Sequence, residues 1–456
     1  MRIGIIVRAL VMRSPTSGIY NSVLGWSQDF KSWGHYVDVI LDSPNFYPEL
    51  SEVGRIFTPE NPLSYSRHTE VFQFEDGFNF ERCLNFRDSL IKALTSNIYD
   101  VLICSEPESA LLAWQMGLHK LMRVVYYTHE PGTFFKNGNY DIYRPEYFEL
   151  VSKIVEFPIY FGVPSQLNRW DFGNENSRSL VLPLPIPDAS GYLKDISIGK
   201  QEGVLFNGRI EQRKNFDFFV KTLVNYRETY GVELPAKVLT KETHIKKAEE
   251  QFSKYNYTNF EVRTNLTLSE KTKFIRSAKV GFHPAIQESF GLAAFESLRW
   301  HPTILLEEYQ WYANFKGFKN LRLATKGTVL EILHEVISET RGKVSGRLDF
   351  QKYFQDYEIA WKNFLELPLE PKKVAAKSST ISQYLEEFGG QWHSLSHYYQ
   401  QTNSKKCFYL VSDIFPLYSG TVKVYQTSEK SFIGNSEAHE VAEEIQKPIE
   451  SVLTLF

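Results

Sequence analysis

The chain has 456 residues, with 51 Lys and Arg against 54 Asp and Glu and a formal net charge of -3. That length exceeds what one hydrophobic core organises and predicts two domains with a smaller appendage, while the near balance of charge excludes a protein coated in cations for nucleic acid or anionic lipid, though not a local basic cleft. No apolar run reaches the roughly 18 residues that would suggest a membrane span, Arg8 interrupts the apolar start too early for a signal peptide, and Cys83, Cys104 and Cys407 lack metal-ligand spacing, so a cytoplasmic protein with reduced thiols is expected.

Residues 2–10 form an apolar run suited to a central parallel strand. A loop holding Gly18 follows, then an amphipathic stretch over 19–33 and a second strand over 36–41, which together read as a β-α-β start. The loop after the first strand faces the carboxyl ends of the strands, where open α/β sheets bind ligands. A helix is predicted from about 80 to 94 and a strand over 99–104, followed by a loop, 105–108. Another strand, 123–127, runs straight into Thr128-His129-Glu130-Pro131-Gly132. His129 at that strand end can face a ligand, and Glu130 beside it can accept a hydrogen bond from a hydroxyl. Prolines at alternate positions, Pro183, Pro185 and Pro187, exclude helix and predict an extended connector, so a domain boundary is placed at residue 188.

The second domain, 189–346, begins with a strand over 203–206 and the turn Asn207-Gly208-Arg209. Arg209 and Lys214 lie across one turn and can converge on a diphosphate, one as a planar fork and the other as a compact charge. Ser269 is expected to cap a helix over 270–278. Then comes the stretch around which the chain is organised: a buried strand Val280-Gly281-Phe282, the turn His283 to Gly291, and a helix from Leu292 to Leu298. The first backbone N–H groups of such a helix lack intrahelical partners and suit an anion. Glu288 and Glu296 stand on either side of that turn; carboxylates there repel phosphate and accept from hydroxyls, which points to a ligand carrying both phosphates and sugars. An aromatic group at Tyr309, Trp311 and Tyr312 either lines a cleft or packs its rim. A helix over 349–365 is expected to cross between domains within a segment 347–370, and 371–456 reads as an appended α+β segment with a hairpin near 408–425.

Glu288, seven residues and then Glu296, with Phe290-Gly291-Leu292 between, resembles the Glu-x7-Glu signature of retaining GT-B glycosyltransferases of glycosyltransferase family 4. Gly208-Arg209 followed by Lys214, about seventy residues upstream, resembles that family's Gly-Arg and Lys pair. The resemblance implies a GT-B fold, α/β with two Rossmann-like domains facing across a cleft. It also implies a nucleotide-sugar donor, most commonly a UDP-sugar, with no prosthetic group. Arg209, Lys214 and the N–H groups of Ser289, Phe290, Gly291 and Leu292 would hold the diphosphate, Glu296 the ribose, and Gly18 would stand where the family has a glycine-rich loop. His129, Glu130 and Glu288 would orient the donor sugar and the acceptor. In this chemistry the departing diphosphate itself takes the proton of the acceptor hydroxyl. No Asp-x-Asp occurs in the chain, so no metal bridging the diphosphate is predicted. Trp300-His301 replaces the small residues the family has after the second glutamate.

Short pieces of the first domain, 1–5, 33–39 and 123–130, also look like the corresponding segments of phage DNA α-glucosyltransferases. That similarity implies a sugar added to hydroxymethylcytosine of double-stranded DNA, in host cytoplasm, by way of a basic groove drawn from Arg8, Arg13, Lys136, Lys246 and Lys247 and a flipped-out base. A polysaccharide or lipid-linked acceptor is the alternative, and a sugar phosphorylase or a non-catalytic partner subunit would use the same fold differently.

Overall fold

The computed structural model describes residues 1–9, 12, 18–44, 46, 50–51, 54–60, 62, 80–129, 154, 159–171, 178–186, 200–339 and 346–367, with three short strands beyond residue 400. In the first lobe the elements run β1 (Arg2–Val7), α1 (Gly18–Ser32), β2 (Tyr36–Leu41), β3 (Arg55–Phe57), α2 (Phe80–Ser96), β4 (Val101–Cys104), α3 (Pro107–Gln115), β5 (Arg123–Tyr127), β6 (Tyr160–Val163), α4 (Gln166–Asp171) and β7 (Ser179–Val181). The strands make one parallel sheet in the order β3-β2-β1-β4-β5-β6-β7. From Ile3 to Val7 in β1 and from Val101 to Cys104 in β4 these two central strands are buried, as parallel strands covered on both faces are. A Cβ on Gly4 in β1 would stand 2.6 Å from Leu102 Cδ2, so a larger residue there would have to displace that side chain.

The second lobe repeats the plan. Its elements are β8 (Val204–Asn207), α5 (Phe216–Tyr230), β9 (Ala236–Leu239), α6 (Ile245–Lys254), β10 (Phe260–Arg263), α7 (Leu268–Arg276), β11 (Val280–His283), α8 (Leu292–Leu298), β12 (Thr303–Leu306), β13 (Leu321–Ala324) and α9 (Val329–Ser338). Its sheet is parallel, in the order β10-β9-β8-β11-β12-β13. Strand order reverses beside β1 in one sheet and beside β8 in the other. The loops leaving β8 and β11 therefore open into a crevice at the carboxyl edge.

Helix α7 is capped two residues before the expected position. Thr267, not Ser269, is its N-cap: Thr267 Oγ1 accepts from Glu270 N at 3.3 Å and Glu270 Oε2 accepts from Thr267 N at 2.9 Å. The reciprocal box uses the Thr-x-x-Glu spacing, which Ser269 cannot supply. Likewise the loop expected at 105–108 turns directly into α3, with Pro107 in its first turn, where proline's missing N–H costs nothing.

Helix α10 (Arg347–Glu366) packs on both lobes. Near its start Phe350 and Tyr353 pack at a tilt against Phe295 of the second lobe, with ring centroids 4.3 and 4.6 Å away. Near its end Trp361 meets Trp26 at 5.4 Å and Phe30 at 5.3 Å in the first. One hydrophobic core thus runs from β1 through Trp361 to Phe290 and Leu305, and a second fills the other face of the second sheet. The extended segment 182–186 is fastened into the first of these. Leu182, Pro183 and Leu184 carbonyls accept from Tyr127 Oη at 2.8 Å, Trp361 Nε1 at 2.9 Å and Tyr353 Oη at 2.7 Å. Strands β14 (Phe408–Leu410), β15 (Val424–Gln426) and β16 (Ser431–Ile433) form an antiparallel sheet, which includes the hairpin expected there. The rest of the α+β segment expected over 371–456 lies outside the described residues.

Candidate functional site

The register Val280↔Val204 brings Asn207 and His283, the last residues of β8 and β11, level with each other. The two loops that leave them are joined: Ile286 N donates to the Arg213 carbonyl at 2.7 Å, and Asn215 Nδ2 to the Pro284 carbonyl at 3.3 Å. Across this seam charges alternate. Arg209 Nη1 lies 2.9 Å from Glu211 Oε1, Arg213 Nε 3.2 Å from Glu211 Oε2, and Arg213 Nη1 3.6 Å from Glu288 Oε2. Lys214 Nζ donates to Glu288 Oε1. Burial lowers the Lys214 ammonium's pKa, and Glu288 offsets part of that shift. The chain thus holds three cations against two carboxylates, a net positive cradle whose Arg209 is its most open member, 37% exposed against 14% for the Lys214 side chain.

The loop from Pro284 to Gly291 is held from below. Trp311 Nε1 donates to the Ala285 carbonyl at 2.8 Å, and Asn314 Nδ2 to the carbonyls of Ser289 and Phe290 at 3.1 and 3.2 Å. Trp311 is buried, so the aromatic group after β12 supports this loop. Gly291, the N-cap of α8, has φ 88°, and a Cβ there would stand 2.8 Å from Trp311 Cζ3. Phe290 turns its ring inward against Phe295, Phe315 and Tyr353, leaving backbone as its offering to a ligand. Leu292 faces the other lobe: a Cβ built on Gly18 would lie 3.6 Å from Leu292 Cδ1, so the starts of α1 and α8 meet.

Glu296 is nearly buried one and a half turns into α8. Its Oε2 accepts from Asn207 Nδ2 at 3.0 Å and its Oε1 from Lys271 Nζ at 2.6 Å. Neither partner is legible in the sequence, because Asn207 lies on β8 and Lys271 on α7, and only the fold brings both to Glu296. The bulky turn Arg299-Trp300-His301 packs inward: Arg299 covers the Trp300 ring at 4.4 Å, and His301 Nε2 lies 3.1 Å from the Ile275 carbonyl. It does not enter the loop that carries Glu288.

In the first lobe His129 follows β5, with its ring centroid 5.0 Å from that of Tyr127 and 5.8 Å from that of Trp26. Its Nε2 is buried with no hydrogen-bond partner among the described residues. Burial, with the Arg8 charge behind it, lowers its pKa to about 3, so the imidazole is neutral. Arg8 is no surface cation, since its Nε lies 2.8 Å from Glu106 Oε1 and both side chains are buried. A strand-end arginine reads as solvated until the fold supplies a carboxylate from the neighbouring strand's loop. Lys246 and Lys247 stand on α6 in the second lobe, where Lys247 Nζ donates to the Ile210 carbonyl at 3.0 Å. Glu130, Arg13 and Lys136 lie outside the described residues.

The chain superposes on a sucrose-phosphate synthase from Thermosynechococcus elongatus with a TM-score of 0.61 and 17% identity, over 80% of this chain and 97% of that one. The fold is GT-B. The Anabaena protein HepE, in complex with UDP and glucose, matches with a TM-score of 0.57 and 12% identity, over 86% of this chain and 99% of that one. WaaG, a glycosyltransferase involved in lipopolysaccharide biosynthesis, matches with a TM-score of 0.54 and 14% identity, over 80% and 99%. No protein-family model matches the chain, and no curated protein matches it by sequence. Among the described residues no helix is long and apolar enough to cross a membrane. Within the GT-B frame the joined loops and the Glu296 cluster occupy the switch point of the second sheet.

Proposed function

We propose that this protein is a retaining glycosyltransferase that takes a sugar from a nucleotide-sugar donor, a UDP-sugar by preference, to a hydroxyl of a carbohydrate acceptor. The observation that carries the reading is the meeting of Arg209, Lys214, Glu288 and Glu296 at one switch point of a GT-B fold. On this reading Arg209 and Lys214 receive the diphosphate and stabilise the charge that develops on it as the glycosidic bond breaks. Glu296 accepts from the ribose hydroxyls. Glu288, released from Lys214 by the incoming phosphate, turns to the sugar hydroxyls, and neutral His129 supplies a hydrogen bond from the first lobe without titrating near neutral pH. Support for retention comes from the Glu-x7-Glu spacing together with the ion pairing of Glu288, which suits orientation rather than nucleophilic attack.

We favour a carbohydrate acceptor over modified DNA, and the three described candidates for a DNA groove bear on that choice. Arg8 is held by Glu106, and Lys246 and Lys247 belong to the nucleotide lobe, so among the described residues these three leave no basic groove on the first lobe. HepE was solved with glucose and WaaG acts in lipopolysaccharide synthesis, which fits an acceptor of this class. The test is nucleotide release from a panel of UDP-, GDP- and ADP-sugars, alone and with sugar phosphates, lipopolysaccharide core or hydroxymethylcytosine DNA. Release stimulated by a carbohydrate acceptor, with the α-anomer retained in the product, is expected. Stimulation by the DNA alone would overturn the acceptor assignment, and no release from any donor would overturn the activity.

A further inference from the structure

We propose that Lys271 is a specificity-determining residue that, with Glu296 and Asn207, reads the ribose diol of the donor nucleotide; this rests on the nucleotide-sugar reading above. Lys271 stands in the first turn of α7, its amide donating to the Thr267 carbonyl at 2.8 Å, so the capping box that fixes the helix start also fixes the lysine. Its ammonium meets Glu296 Oε1 at 2.6 Å while Asn207 meets Oε2 at 3.0 Å. One donor on each oxygen locks the carboxylate plane between the end of β8 and α7. Each oxygen keeps a lone pair, and the ammonium keeps two N–H groups with no other hydrogen bond among the described residues. Side chains 19% and 12% exposed leave one edge of the pair open.

That edge offers acceptors and donors together, which is what two vicinal hydroxyls require, since each donates once and accepts elsewhere. The ammonium has a second consequence. A bare carboxylate near a diphosphate would repel it, and Lys271 cancels that charge while leaving the acceptor lone pairs in place. A nucleotide lacking the 2′-hydroxyl would leave part of this charged pair unmatched in a partly dry site.

The test is calorimetric binding of UDP, GDP and ADP, then of the 2′-deoxy counterpart of whichever binds tightest, to the whole protein and to Lys271→Met, Lys271→Gln and Lys271→Arg. Wild type is expected to prefer the ribonucleotide by about tenfold or more, the scale of a hydrogen bond to a charged group. Lys271→Met should lower that preference to about threefold or less, mostly by weakening the ribonucleotide, and Lys271→Arg should restore it. Lys271→Gln, which keeps a donor toward Glu296, shows the same loss should the methionine variant not fold. An unchanged preference in these variants, or equal weakening of both nucleotides, would mean a simple strut between α7 and α8 and would overturn this inference alone. A wild-type protein that binds no nucleotide would overturn the donor reading as well.

Discussion

The Lys214 ammonium is hydrogen-bonded to the Glu288 carboxylate across the seam between the loops that leave β8 and β11. The group proposed for the diphosphate is therefore paired with the group proposed for the sugar. The two substitutions at this pair should separate. Lys214→Ala removes a phosphate cation and leaves Glu288, among the described residues, with Arg213 at 3.6 Å as its remaining ion-pair partner, so UDP affinity and turnover should both fall, the latter by roughly a hundredfold or more. Glu288→Gln should abolish turnover to a similar extent yet bind UDP as tightly as wild type or more tightly, because it removes the carboxylate that competes for Lys214. Titration calorimetry with UDP, beside steady-state rates, reads both; weaker UDP binding in Glu288→Gln would contradict the competition.

Gly291 carries the turn into α8 at φ 88° with Trp311 packed where a Cβ would go. Gly291→Ala should destabilise the second lobe by about 1–3 kcal/mol through the left-handed backbone and the displaced indole. Because Trp311 also holds the Ala285 carbonyl, the loop carrying Glu288 should move with it. The expected signature is a lowered unfolding midpoint together with lost UDP affinity. A variant destabilised yet normal in UDP binding would show that the loop is supported elsewhere.

Both parallel sheets were legible because their central strands are buried on two faces and read as unbroken apolar runs: Ile3 to Val7, Val101 to Cys104, Val204 to Phe206. The crevice followed, since ligand loops leave the carboxyl ends of such strands. What the sequence hid was partnership across long separations. Arg8 reads as a loop charge, and only the fold brings Glu106 to it, 2.8 Å away. Lys271 reads as one of many surface lysines, and Asn207 as a turn residue, until α7, α8 and β8 converge on Glu296. Arg213 was overshadowed by its neighbour Lys214, although it bridges Glu211 and Glu288. Helix α10 was visible as a helix, but its tie to 182–186 depends on which carbonyls Tyr353 and Trp361 reach, and no periodicity encodes that.

Acid should weaken the fold through its histidines. Burial lowers His129 and His283 to about 3 and His301 to about 4, while the unfolded chain titrates near 6.5. Their contribution is complete above pH 6.5 and is lost as pH falls toward those values, by up to roughly tenfold in the folding constant per pH unit for each ring. Asp29 works in the other direction. Burial raises it to about 6, with Tyr357 lowering and Glu358 raising it further, so its contribution is present below about pH 4 and is lost as pH rises through 6. Three rings outweigh one carboxyl, so the unfolding midpoint should drop between pH 7 and 5. Asp29→Asn should gain about 1–2 kcal/mol at pH 7.5, allowing for solvent screening of a half-buried group, and nothing at pH 4. Denaturant midpoints of both proteins across this range check the signs.

Helix α10 should divide into a half that serves the donor site and a half that serves the first lobe. Tyr353 packs against Phe295 and reaches Phe290, 5.7 Å between centroids, while donating to the Leu184 carbonyl. Trp361 is fully buried against Trp26, which in turn neighbours His129. Replacing either large ring by alanine should cost about 3–5 kcal/mol. The functional losses should differ. Tyr353→Ala withdraws the floor beneath Phe290 and should weaken UDP binding several-fold, whereas Trp361→Ala should leave UDP affinity within about twofold, since its contacts lie in the other lobe, and lower turnover through the shifted Trp26 and His129. Tyr353→Phe isolates the hydrogen bond to Leu184, a loss of about 1 kcal/mol with the ring contacts kept, and should spare UDP binding. Unfolding midpoints and UDP affinities of the three variants decide it: equal loss of nucleotide binding in Tyr353→Ala and Trp361→Ala would mean that α10 acts as one rigid body on both lobes.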